Sequence, residues 1–122
     1  MLLNSFYKII GLEAKEDQIK TQLQLNPEHP IFKGHFPENP IVPGVCFIQI
    51  IKEILQDFYA ATILIAKITN LKFLFPVDPR EHREIEILLG LEDFGESQKV
   101  RVIASLPDET PVLKGIMLCE KK

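Results

Sequence analysis

The stretch from Val45 to Tyr59 contains neither proline nor glycine, and most of its residues are apolar. At 3.6 residues per turn, these apolar side chains cover most of the circumference of a helix. A helix that is apolar on nearly every side must be buried over most of its surface. A sheet that wraps around the helix would bury it in this way, so the stretch predicts one long central helix.

The rest of the chain contains the patterns of strands. Residues 19–25 alternate apolar and polar side chains with the period of a half-buried strand, and together with residues 7–13 they predict a hairpin. Further strands are predicted at residues 62–77, 83–89, 99–104 and 112–118. This order defines an α+β protein in which residues 1–122 form a single domain.

The composition is typical of a globular protein. Hydrophobic residues make up 46% of the chain, charged residues 25%, and the net charge is −3, which does not favour nucleic-acid or membrane binding. The amino end lacks the pattern of a secretory signal, so we expect a cytoplasmic protein. Cys46 and Cys119 are not spaced in the way that metal ligands usually are. We interpret both as residues with reduced thiols that pack in the core, and a functional free thiol is the alternative.

Between the hairpin and the helix, residues 26–44 contain five prolines and two glycines. This density predicts a stiff, irregular segment that is neither a regular helix nor a central strand. In compact domains, long irregular segments more often have a function than serve only as connections.

Two residues of this segment suggest a site. His35 can exchange a proton near neutral pH, and Gly44 opens the predicted helix, whose first amides are unpaired and can polarise a carbonyl oxygen. A lone loop histidine is, however, usually a surface or hydrogen-bonding residue, and Pro-Gly before a helix is common. Taken alone, the two residues favour a purely structural role.

The order of the neighbouring residues favours a functional role for His35 and Gly44 instead. Residues 34–45, G-H-F-P-E-N-P-I-V-P-G-V, contain every fixed position of the pattern G-H-F-P-x-x-P-x-x-P-G-V. The segment therefore resembles the active-site signature of bacterial 3-hydroxyacyl-(acyl-carrier-protein) dehydratases. Residues 70–79 are similar to the strand and turn that follow the central helix in that family. The resemblance extends over about the whole chain and is specific by the standard of sequence motifs.

The resemblance implies a hotdog fold, in which an antiparallel sheet wraps around one long central helix. It also implies a homodimer, or a larger assembly, with two sites at the interface. The implied reaction is the reversible dehydration of a 3-hydroxyacyl thioester, carried by acyl carrier protein, to the trans-2-enoyl thioester. No metal or redox cofactor is implied.

The resemblance also assigns roles to individual residues. His35 is the main acid/base group, and the amide at Gly44 binds the thioester carbonyl. The acyl chain would enter an apolar tunnel, so the predicted substrate-binding residues beside Gly44 are Val45, Phe36, Val42 and Phe47.

One position departs from the family pattern. Fourteen residues after the histidine, where the family has a Glu or Asp contributed by the partner subunit, this chain has Gln49. One helical turn later, where the family often has Gln, it has Glu53. An amide cannot donate a proton as an acid does. Either Glu53 takes the acid role from one turn further along, or it is a paired structural carboxylate and His35 works without it; His35, Glu53 and Gln49 are the candidate catalytic residues.

Three functions follow from these residues. The first is a carrier-protein-dependent dehydratase of fatty-acid or related lipid or polyene synthesis. The second, favoured by Gln49, is a non-catalytic or accessory subunit that binds acyl thioesters or pairs with an active paralogue. The third is a hotdog thioesterase, an activity found on the same fold, for which the motif is not the usual arrangement.

Overall fold

The computed structural model describes residues 1–34, 38 and 40–122. Two predicted site residues, His35 and Phe36, lie outside the described residues. The elements follow in the order β1 (Tyr7–Lys15), β2 (Gln18–Leu25), α1 (Ile31–Gly34), α2 (Gly44–Tyr59), β3 (Ile63–Phe73), β4 (Glu84–Phe94), β5 (Ser97–Ser105) and β6 (Pro111–Lys121).

The strands form one antiparallel sheet in the order β1-β2-β4-β5-β6-β3. Alternate side chains of its strands are buried, as in the run Ile85, Ile87 and Leu89 of β4, and they form one core with α2. On the helix, Ile50, Ile51 and Leu55 are completely buried. The α+β architecture with a sheet wrapped around a central helix is therefore confirmed.

Neighbouring residues determine where α2 begins and where it ends. Pro43 precedes the helix in an extended conformation, with φ −62° and ψ 145°, and no side chain caps the first turn. At the other end, Ala60 adopts the left-handed conformation with φ 51°, and its amide donates to carbonyl groups of the last turn. The helix thus begins one residue earlier than predicted and ends where predicted.

Two predictions about the connecting segments are corrected. Ile31–Gly34 forms a single helical turn within the segment predicted to be irregular, because Pro30 sits where a helix tolerates proline and His29 Nδ1 accepts the Ile31 amide at 3.1 Å. The strand predicted at residues 62–77 ends at Phe73. Beyond it, the Val77 carbonyl accepts the Val42 amide at 2.9 Å, so this part of the chain is hydrogen-bonded to the proline-rich segment.

Strand β3 is an edge of the sheet with apolar side chains facing outward. Its inner neighbour is β6, and its other side has no strand partner among the described residues. Leu64, Ile68 and Phe73 are exposed along its eleven residues. A long apolar edge of this kind is a ready template for pairing with another chain.

The two cysteines lie in the core. Cys46 of α2 and Cys119 of β6 are buried and free, and burial raises the pKa of the Cys119 thiol to about 11. Both therefore act as small apolar packing residues, as the sequence suggested.

Candidate functional site

The amino end of α2 presents unpaired backbone amides. Because Pro43 offers no side-chain cap, the amides of Gly44 and Val45 have no acceptor among the described residues, whereas the Cys46 amide already donates to the Pro43 carbonyl at 3.0 Å. The helix dipole adds partial positive charge at this end. The arrangement can stabilise a carbonyl oxygen on which negative charge develops.

Gly44 lies beside an apolar cavity of about 400 Å³, which we call the Gly44 pocket. Its walls come from the segment before α2, the first turn of α2 and the end of β3 with its following loop. The lining residues are Ile41, Val42, Pro43, Gly44, Phe47, Phe73, Phe75, Pro76 and Val77. No titratable side chain is among them, so the pocket suits an acyl chain rather than a polar ligand.

Gly44 is in close contact with the ring of Phe73. A Cβ built at position 44 would lie 2.6 Å from Phe73 Cζ, closer than real contacts allow. The absence of a side chain therefore lets the aromatic ring and the helix start approach each other. Phe73 is about half exposed.

The structure brings together three of the five predicted substrate-binding residues. Gly44, Val42 and Phe47 line the Gly44 pocket, and the two side chains are buried. Val45 does not line the pocket; its side chain is 71% exposed on the outer side of the first turn. Phe36 lies outside the described residues.

Gln49 and Glu53 contact each other on a different side of α2. Gln49 Nε2 donates to Glu53 Oε2 at 2.8 Å, as expected for residues four apart on a helix. Gln49 follows Gly44 by five residues, which places it roughly 140° around the axis and about 7.5 Å along it. Within one chain, therefore, Gln49 does not reach the Gly44 pocket.

Glu53 is buried and accepts three more hydrogen bonds. The Leu2 amide donates to Oε2 at 2.8 Å, while the Leu3 amide and the Tyr7 hydroxyl donate to Oε1 at 3.0 and 3.1 Å. Burial raises the pKa of the Glu53 carboxyl, but the hydrogen bonds from Leu2, Gln49, Tyr7 and Leu3 lower it more, so that the net pKa is below the ordinary value. Of the two roles predicted for Glu53, this geometry favours the paired structural carboxylate.

A larger cavity, of about 540 Å³, lies between the second half of α2 and the first hairpin. Its lining includes Leu3, Tyr7, Leu12, Glu53 and Phe58, and none of the residues of the Gly44 pocket. The unpaired helix amides are absent from its walls. We therefore assign the candidate site to the smaller cavity.

The sequence did not single out Tyr7 or Phe73 as site residues. Both looked like ordinary strand residues, and only the paired sheet shows that Tyr7 lies beside Glu53 and Phe73 beside Gly44.

Two negative findings concern the described residues. Among them, no helix combines the length and hydropathy required to cross a bilayer. In the same part of the chain, His, Cys, Asp and Glu side chains form no group of three that could hold a metal ion.

An antiparallel sheet around a single long helix is the architecture of hotdog proteins, and solved structures of that class match it. A chain of the dehydratase heterocomplex ApeI:P from Xenorhabdus doucetiae superposes with a TM-score of 0.75 at 23% identity, covering 93% of this chain and 96% of that one. A thioesterase from Haemophilus influenzae superposes with a TM-score of 0.63 at 12% identity, covering 98% and 80%. At such identities the likeness establishes the hotdog fold alone, and the predicted fold is confirmed.

The sequence comparison is more specific. The model of the ApeI-like family, described as ApeI dehydratase, matches residues 12–105, and the chain belongs to this family of dehydratases. A 3-hydroxyacyl-(acyl-carrier-protein) dehydratase, FabZ, from a Thermoanaerobacter species is 27% identical over 117 residues, covering 90% of this chain and 81% of the relative. The FabZ of Xylella fastidiosa is 40% identical over 42 residues, 34% of this chain and 26% of its own length. The predicted relationship to hotdog dehydratases is thereby confirmed.

Proposed function

We propose that this protein catalyses the reversible dehydration of a 3-hydroxyacyl thioester, carried by acyl carrier protein, to the trans-2-enoyl thioester. The observation that carries the proposal is the Gly44 pocket, where the unpaired Gly44 amide, near the end of the dehydratase motif, lies beside an apolar cavity. The amides would hold the thioester carbonyl, and the cavity would receive the acyl chain. Membership of a dehydratase family supports this reaction over others on the same fold.

In the proposed reaction, the Gly44 amide stabilises the negative charge that develops on the carbonyl oxygen when C2 loses its proton to His35. The electron pair of the C2–H bond forms the C2=C3 double bond, and the C3–O bond breaks. The leaving hydroxide takes a proton and departs as water. Since position 49 carries an amide, the proton that His35 removed from C2 is the one returned to the leaving group.

We further propose that the complete site lies between two chains. Gln49 and Gly44 face different sides of α2, so one chain cannot bring both to the same thioester. The exposed apolar side chains of β3, Leu64 and Ile68 among them, support pairing of this edge with the same edge of a second copy. Size-exclusion chromatography with light scattering tests this homodimer, which substitution of Leu64 and Ile68 by lysine is expected to dissociate.

The direct test of the function uses the purified chain and 2-enoyl thioesters of acyl carrier protein, with loss of the enoyl absorbance as the measure of hydration. Formation of the 3-hydroxyacyl product supports the proposal. Release of free thiol in place of hydration would indicate a thioesterase instead. Absence of either reaction over a range of chain lengths would contradict the proposed activity of the isolated chain.

A second candidate function has one observation in its favour. Because position 49 carries an amide and Glu53 is held by four donors, the chain offers no free carboxyl at this site among its described residues. It could therefore act as the accessory partner of a second hotdog chain that supplies the acid, and a solved relative of this fold is a heterocomplex. Turnover that occurs only after co-purification with such a partner would favour this function.

Substitution of Gly44 by alanine is expected to lower kcat/KM by on the order of tenfold to a hundredfold. The added methyl group would displace the Phe73 ring, whose Cζ lies 2.6 Å from its position, and would narrow the approach to the amides. The same assay on Gly90→Ala is the control, because a Cβ there meets only Arg101 Cβ at 3.7 Å. Equal activity of both variants would show that the close contact between Gly44 and Phe73 does not control access to the Gly44 amide.

A further inference from the structure

We infer that a small pocket between Lys8 and Arg83, which we call the Lys8 pocket, binds a phosphate group. It has a volume of about 240 Å³ and is formed by the turn before β1, the start of β1, the end of β2 and the residue before β4. The Lys8 pocket shares no described residue with the Gly44 pocket. It is therefore a second site, separate from the cavity proposed for the acyl chain.

The walls of the Lys8 pocket carry positive charge without a compensating acid. Lys8 and Arg83 are the two cations, and the other lining residues are uncharged: Asn4, Ser5, Tyr7, Gln24, Leu25 and Asn26. Among the described residues, neither Lys8 nor Arg83 forms an ion pair with a carboxylate. Glu84, which follows Arg83, lines a different cavity. Two unpaired cations beside one cavity attract an anion, although the chain as a whole has a net charge of −3.

Hydrogen bonds hold the segments around the Lys8 pocket together. The Leu25 amide donates to the Arg83 carbonyl at 2.6 Å, which joins β2 to the start of β4. The Asn26 amide donates to the Phe6 carbonyl at 2.8 Å, and Asn26 Nδ2 donates to the Ser5 carbonyl at 2.9 Å. The backbone that carries the two cations is thus fixed before a ligand arrives. Binding has to order only the long side chains, which lowers its entropic cost.

The size and the chemistry of the Lys8 pocket fit a phosphate group. Its volume equals that of roughly eight water molecules, so it admits a phosphate and the first atoms of the molecule that carries it. The guanidinium group of Arg83 can donate parallel hydrogen bonds to phosphate oxygens, and the Lys8 ammonium group adds a point charge. A carboxylate has fewer oxygens and less charge, so it uses the two cations less fully. Because Lys8 and Arg83 are exposed, we expect moderate, salt-dependent binding.

The phosphate group can come from two sources. One is the phosphopantetheine arm through which a carrier protein holds its acyl thioester, and the other is a separate phosphorylated molecule. Both present the same anion to Lys8 and Arg83. Binding of inorganic phosphate therefore tests the pocket itself, and thioesters with and without the phosphate group distinguish the sources.

The first experiment is a titration of the whole chain with inorganic phosphate at constant ionic strength, followed by the NMR signals of the backbone amides. The amides of residues 4–8, 24–26 and 83 are expected to shift together, with a dissociation constant on the order of 1 mM. Lys8→Gln and Arg83→Gln are each expected to weaken binding about fivefold to tenfold, the value of one hydrogen bond. Arg83→Lys should weaken it less, because it keeps the charge and loses only the parallel hydrogen bonds.

Lys20→Gln is the matched control, because it removes the same charge at another place on the sheet. Lys20 of β2 pairs with Glu86 at 3.8 Å and is not among the residues that line the Lys8 pocket. This variant should bind phosphate within about twofold of the wild type. Shifts that do not saturate, or an equal loss of binding in Lys8→Gln and Lys20→Gln, would overturn the inference.

The second experiment compares the hydration of two 2-butenoyl thioesters, one of phosphopantetheine and one of pantetheine. If Lys8→Gln raises KM for the phosphorylated thioester alone, the arm of the substrate supplies the phosphate group. If phosphate binding is lost while KM for both thioesters is unchanged, the Lys8 pocket takes a separate phosphorylated molecule. A chain that binds phosphate but hydrates neither thioester would contradict the proposed function and leave the phosphate site in place.

Discussion

Substitution of His35 by alanine is expected to lower the rate of dehydration by on the order of a hundredfold to ten-thousandfold, the usual contribution of a general acid–base group. The described walls of the Gly44 pocket are apolar throughout, so they offer no second side chain that could take the proton from C2. Steady-state hydration of a 2-enoyl thioester, followed by absorbance, provides the measurement. Binding of a saturated acyl thioester should persist, because the helix amides and the cavity are unchanged.

His29→Asn is the matched control for this substitution. His29 is a half-buried histidine six residues earlier, and its Nδ1 accepts the Ile31 amide at the start of α1, a task that the side-chain oxygen of asparagine can also perform. This variant should retain full activity. If His35→Ala turned over as fast as His29→Asn, the proposed proton transfer would be wrong.

The second large effect concerns stability in acid. Because the net pKa of Glu53 lies below its ordinary value of 4.5, the native state binds fewer protons than the unfolded chain in this range. The stabilisation of the folded state by ionised Glu53 is therefore fully present above pH 4.5. It is lost as the pH falls through the pKa that Glu53 has in the folded state. Urea unfolding at neutral pH and below pH 4.5 should reveal this loss in the wild type and a smaller one in Glu53→Gln.

At neutral pH, Glu53→Ala is expected to lower the free energy of unfolding by about 2–4 kcal/mol, because four donors lose a charged acceptor in a largely buried setting. Asp57→Asn neutralises an exposed carboxylate one turn further along α2 and should change stability by less than about 0.5 kcal/mol. Equal, small effects of both substitutions would mean that the bonds from the N-terminal segment to Glu53 do not contribute to folding.

The fold could be predicted largely from local patterns. A stretch without proline or glycine and apolar on most sides permits only a buried helix, and the bounds of α2 differ from the prediction by one residue. The ends of the strands were predicted less accurately. β4 continues to Phe94, five residues beyond the predicted end, because its pairing with β5 extends to the turn. Such pairing depends on two strands together and is not visible in either strand alone.

The candidate site was predictable only where its residues are close to one another in sequence. Gly44, Val42 and Phe47 are close in sequence and lie on one helix start, so their common pocket could be expected. The environment of Glu53 could not, because its donors Leu2 and Leu3 lie about fifty residues away. A helical periodicity shows that Gln49 and Glu53 share a face, but not which segment covers that face.

The edge of β3 that has no strand partner among the described residues affects how the stability of the protein depends on its concentration. If two copies pair along this edge, folding and association are one equilibrium, and the stability of the chain rises with its concentration. At low concentration the separated chains expose Leu64, Ile68 and Phe73 on an open edge, where any other extended strand can pair with them. Dilution should therefore lower the melting temperature and increase susceptibility to aggregation and proteolysis, without any change in sequence.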